Sequence, residues 1–93
     1  MQKVLHPHIT NNPEICGGSP IITGTRFPVR SVVTYILHYG LTPEELVHKF
    51  SFLTLAHIHD ALAYFYDNQE EINDDLLANS EEAVRPQTTP LSK

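Results

Sequence analysis

The run Cys16-Gly-Gly-Ser-Pro-Ile-Ile-Thr-Gly-Thr-Arg-Phe-Pro28 crowds three glycines and two prolines into one short stretch just ahead of a helical pattern. Glycine opens backbone conformations and close approaches that other residues resist. Proline fixes φ near about −65° and removes a donor. The run therefore predicts short extended pieces broken by sharp turns. Pro28 is placed to occupy the first position of the next helix, where its missing N–H costs nothing. Everything before the run leads into it, and everything after it reads as helical.

Ahead of it, Ile9-Thr10 predicts part of a brief strand, Asn11-Asn12-Pro13-Glu14 a turn, and Ile15-Cys16 the returning strand or an extended segment, with Ile21-Ile22 a second extended piece. Strands this short must pair with each other or with another subunit. Val29, Val32, Val33, Ile36 and Leu37 follow one helical face over residues 29–39. Gly40 takes the left-handed stop and Leu41 folds back on the last turn. Thr42-Pro43-Glu44-Glu45 is a capping box that opens a short second helix ending near Phe50, with Leu41 and Leu46 as a hydrophobic staple. Thr54 caps a third helix whose buried stripe is Ile58, Ala61, Leu62 and Phe65. Asn68-Gln-Glu-Glu71 opens a fourth helix over residues 69–78, with Ile72 and Leu76 facing inward. The expectation is a mainly α protein: one domain over residues 1–78, with an extended arm (1–27) ahead of the helices (28–78), and a disordered tail over residues 79–93. Three short helices with a tight turn between the second and third outline a helix-turn-helix unit.

A chain of 93 residues buries a modest core, so a homodimer is expected. No apolar run approaches the length of a membrane span, and no leader pattern opens the sequence. One cysteine cannot form an internal disulfide, which fits a cytoplasmic protein. Lys3, Arg26, Arg30 and Lys49 cancel Glu14, Glu44, Glu45 and Asp60 over residues 1–66. The net charge of −5 thus belongs to residues 67–93, where acidic groups outnumber Arg85 and Lys93. That sign is wrong for holding nucleic acid and right for meeting a basic protein surface.

Candidate nucleic-acid contacts are Thr25, Arg26, Arg30 and Ser31, donors beside the start of the first helix, and His57 on the third. The alternative reading of the glycine-rich run is turns and close packing, with Arg26 tying down carbonyls. Arg30 in a first helical turn opposes the helix dipole, a hint of an anionic partner. The third helix brings no Arg, Lys, Asn or Gln to base edges before Asn68, and Asp60 and Asp67 would repel phosphate. His6 and His8 point the same way if their segment is extended, within reach of His57 or Cys16, but a metal site is not expected. Neither is a cofactor, nor catalysis: Cys16 lacks an orienting carboxylate and a substrate cleft. The acidic segment from Asp67 offers either a solvated face or a partner-binding arm, with Ile72, Asp75, Leu76 and Leu77 as its candidate contacts.

The run Ile15-Cys-Gly-Gly-Ser-Pro-Ile-Ile-Thr-Gly-Thr-Arg-Phe-Pro-Val29 resembles the signature of a bacterial family catalogued as domain of unknown function 433. Gly40-Leu-Thr-Pro-Glu-Glu45, Leu53-Thr54 and Ala61-Leu-Ala-Tyr64 are similar to it as well, so the match covers roughly residues 7–76. The resemblance implies a homeodomain-like helix-turn-helix core behind short strands, dimerisation, and an antitoxin role beside a PIN-like toxin, with autoregulatory DNA binding as an added property. A DNA-binding regulator without a toxin is the other function it implies. Ser19 stands where the family often has Lys, and Thr23 where it often has Arg, so this chain brings two fewer positive charges to the run.

Overall fold

The computed structural model describes the backbone of residues 5–84 and the side chains of residues 5–79. Strands β1 (Ile9–Asn11) and β2 (Pro20–Ile22) form a two-stranded antiparallel sheet in which Ile9 faces Ile22 and Asn11 faces Pro20. Four α-helices follow: α1 (Val29–Val33), α2 (Pro43–Lys49), α3 (Leu55–Asp67) and α4 (Gln69–Val84). The chain is mainly helical, as its periodicity predicts.

One core serves all of these elements. Ile22 from β2, Val29, Val32 and Val33 from α1, Leu46, Leu53, Ile58, Ala61, Phe65 and Ile72 form a single buried cluster. The Thr42 hydroxyl accepts from the Glu45 N–H and the Glu45 carboxylate accepts from the Thr42 N–H, so α2 begins on the expected capping box with Pro43 in its first turn. The α3 stripe is also in place, with Ile58, Ala61 and Phe65 buried and Leu62 packed against them.

Four expectations are corrected. The returning strand is Pro20–Ile22 and not Ile15-Cys16, because Cys16–Gly18 coils into a 3₁₀ turn. That turn places Cys16 at φ 52° and Gly17 at φ 65°, a left-handed pair no strand accommodates. Pro28 lies at ψ 154° just before α1, so it caps the helix instead of opening it. The first helix does not run evenly to Tyr39. Residues Thr34–His38 widen into a π-helical turn in which the Tyr39 N–H donates to the Thr34 carbonyl. The wider turn rotates the face, and Leu37, expected inside, is 43% exposed. Gly40 still closes the segment, at φ 80°. Finally, α4 continues to Val84, past the expected limit at Ala78 and into the stretch expected to be a tail. The rest of that tail, residues 85–93, lies outside the described residues. Among the described residues, no helix is long and apolar enough to cross a membrane.

Candidate functional site

The residues singled out in the sequence fall into two places, and they do not divide along the expected lines. Arg30, an expected phosphate contact, and Asp75, an expected partner contact, bind each other. The Arg30 Nη1 lies 3.0 Å from the Asp75 carboxylate and donates to the Ser19 hydroxyl at 3.1 Å. Ser19 in turn donates to the other Asp75 oxygen at 2.8 Å, and the Asn79 amide donates to the same oxygen. Both charged side chains are more than four-fifths covered. A charge-assisted cluster this well covered fastens the glycine-rich loop and α1 to α4. It also explains Ser19: a hydroxyl can donate to Asp75 and accept from Arg30 at once, which an ammonium cannot.

Ile72 is fully buried in the core and is therefore not a partner contact. Leu76 packs partly against that core. Leu77 is the one α4 candidate left open, at 61% exposure. Leu76 and Leu77 line a groove of about 590 Å³ with Arg30, Ser31, Thr34 and Tyr39. Ser31 thus lies on the α4 side of the chain, in a different groove from Arg26.

Thr25, Arg26 and His57 meet in a second cleft, of about 840 Å³, between the β-hairpin and the start of α3. The Thr25 hydroxyl donates to the Ile22 carbonyl and accepts from the Phe27 N–H, both within 2.9 Å, so it is spent on the turn itself. Gly24, at φ 82°, lets that turn close. The Arg26 carbonyl accepts from the Cys16 thiol at 3.3 Å. Arg26 does not tie down carbonyls: its own carbonyl is held, and its exposed guanidinium makes no hydrogen bond or ion pair among the described residues.

His57 has a structural task that the sequence did not reveal. Its Nδ1 accepts from the Thr54 N–H while the Thr54 hydroxyl accepts from the His57 N–H, a capping box with imidazole in the place of a carboxylate. Desolvation, followed by the charge of His8, lowers its pKa below the usual 6.5. The His8 ring meets it edge-on at 5.1 Å. A neutral ring whose Nδ1 accepts carries its proton on Nε2.

The α3 aspartates are likewise spent. His6 lies with Nδ1 at 3.2 Å from Asp60 and Nε2 at 2.9 Å from Asp67, and the second Asp60 oxygen accepts from the His8 N–H. These contacts pin the N-terminal arm along α3. They also separate His6 from His8, which were expected on one side. Tyr64 edges the His6 ring and donates to Glu71 at 3.0 Å. Burial, with the Glu71 hydrogen bond and charge behind it, pushes the Tyr64 pKa up to about 12. Among the described residues, no group of three or more His, Cys, Asp or Glu side chains is placed to hold a metal ion.

The model of the family described as "Protein of unknown function (DUF433)" matches residues 9–65, from β1 to the last turn of α3. The chain belongs to the DUF433 family. A crystal structure of a DUF433 member from Anabaena variabilis ATCC 29413 is similar, with a TM-score of 0.70 and 31% identity. That likeness covers 75% of this chain and 68% of the other. No curated protein matches the chain. The family match ends at Phe65, so Asp75 and Asn79 of the clasp and Leu76 and Leu77 of the groove lie on a helix outside the matched region.

Proposed function

We propose that this DUF433 member is an antitoxin-type interaction protein, a homodimer that binds and neutralises a co-encoded PIN-like toxin through α4 and the groove beside it. The observation that carries this reading is the exposed apolar pair Leu77 and Tyr39, 61% and 68% open, on a groove beneath an acidic helix. Glu70 and Asp74 add exposed carboxylates to the same helix. Exposed apolar side chains on a helix that carries several exposed acids suit a partner surface that is apolar with basic surroundings. Operator DNA has weaker support: Asp75 neutralises Arg30, and α3 presents no basic side chain other than histidine.

The test is co-expression with the product of each adjacent gene, followed by purification on a tag carried by this chain. A stable complex and rescue of arrested growth are expected, and Leu77→Lys with Tyr39→Lys should abolish both while the helical circular dichroism is kept. Retention of the complex by that double variant removes the groove from the interface. Absence of a complex with either neighbour overturns the reading.

A further inference from the structure

We propose that the cleft between the β-hairpin and α3 is a binding site for a small phosphorylated aromatic ligand of the nucleoside monophosphate class. Three features of the cleft carry the proposal. The first is the state of Arg26. Arg30 is paired with Asp75, and the Lys49 ammonium sits over the Phe50 ring at 5.7 Å. Arg26 is the described cation with neither an ion pair nor an aromatic partner, and it lines the cleft of about 840 Å³ with its fork of donors unused. A guanidinium recognises phosphate through two parallel N–H bonds.

The second is the lining. In a chain of net charge −5, no carboxylate among the described residues lines this cleft. Asn12 spends its Oδ1 on the Glu14 N–H, which leaves its amide N–H groups as donors, and Thr10 and Thr23 add hydroxyls. His57, neutral and accepting at Nδ1, presents an N–H at Nε2. An acid-free concavity rich in donors favours an anion. The third is Phe52, 55% exposed at the rim and held edge-on by Phe27 at 6.1 Å and by Phe50 at 6.2 Å. An aromatic ring fixed from behind and open in front is a stacking platform for a base. The volume lies within the range of small-ligand sites.

Backbone rigidity supports the assignment. The turn that presents Arg26 is closed by both Thr25 hydrogen bonds, by the Ile22 N–H to the Phe27 carbonyl at 2.9 Å, and by the Cys16 thiol. The most conformationally specialised stretch of the sequence thus fixes the backbone that carries Arg26, which confines the ordering cost of binding to the side chain.

The experiment follows amide shifts of the full chain, at fixed salt, during titration with adenosine 5′-monophosphate, adenosine and inorganic phosphate in turn. Saturable shifts at residues 10–12, 23–26 and 57 are expected with the nucleotide, with adenosine and phosphate each weaker by roughly tenfold or more. Arg26→Gln should weaken nucleotide binding by about tenfold. Phe52→Leu, which keeps an apolar side chain at the rim, should bring the nucleotide down to the affinity of phosphate alone. Phosphate binding as tightly as the nucleotide reduces the site to an anion site and overturns the ligand class. The proposal is also overturned by unsaturable shifts, or by an Arg26→Gln protein with unchanged affinity and an otherwise unchanged spectrum.

Discussion

Two arginines from one short stretch of sequence meet opposite fates. Arg30 is covered, bound to Asp75 across 45 positions of chain, and fixed by Ser19. Arg26 is exposed, has only its backbone held, and faces an open cleft. The side chains are chemically the same, so the difference lies in what tertiary structure delivers to each. A helix from the acidic third of the chain brings a carboxylate to one and none to the other. The Arg30 corner is therefore a clasp and the Arg26 cleft a surface available to a ligand.

The comparison is broken most severely at Asp75. Asp75→Ala strands a covered guanidinium and removes the acceptor of the Ser19 hydroxyl, so a loss of about 2–3 kcal/mol in urea unfolding is expected. Faster amide exchange along α4 than along α2 should accompany it. A smaller loss tests the other side. Thr25→Val keeps the shape but deletes both hydrogen bonds of the Thr25 hydroxyl beneath Arg26, at a cost of about 1 kcal/mol. An unchanged urea midpoint for either variant would show that the bond concerned contributes nothing to stability.

Local chemistry was legible in the sequence, whereas chemistry between distant segments was not. The Thr42–Glu45 capping box and the Ile58, Ala61 and Phe65 stripe depend on spacings within a few residues, and both stand in the fold. The Arg30–Asp75 bond could not be read that way, because a lone arginine in a first helical turn looks the same paired or free. Ile72 shows a related limit: its spacing marks an inward face, yet the same residue in an acidic helix also suggests a partner contact, and only its complete burial decides. The π turn was hidden because widening a turn leaves the order of Val32, Val33, Ile36 and Leu37 untouched. Cys16 at φ 52° was hidden because a non-glycine residue gives no warning of a left-handed backbone.

His57 sharpens the contrast by adding pH. Its pKa lies below the unfolded value of 6.5, so the folded state favours the neutral ring. The unfolded chain takes up the proton first as pH falls, and the stabilisation present above pH 6.5 is lost on passing through the lower folded value. Protonation also removes the Nδ1 lone pair that caps the Thr54 N–H. His57→Gln keeps an acceptor that does not titrate in this range. Urea midpoints of the two proteins should agree near pH 8, and the wild type should fall slightly further at pH 5, a small difference because the ring is only partly buried. Parallel pH curves would mean that the cap does not depend on the charge of His57.

The smallest expected effect bears most directly on the two arginines. Arg26→Ala removes an exposed side chain whose guanidinium bonds to nothing among the described residues, while its carbonyl, the part that is held, remains. Its stability should stay within about 0.5 kcal/mol of wild type. Arg30→Ala, by contrast, leaves Asp75 covered without its cation and should cost several times more. Measured side by side in urea, the two substitutions separate a structural arginine from one that stability does not require. A guanidinium carried on a well-held backbone turn, and not itself needed by the fold, is free to be used by a ligand. Equal losses would show that Arg26 is also spent on the fold and would leave the cleft without its cation.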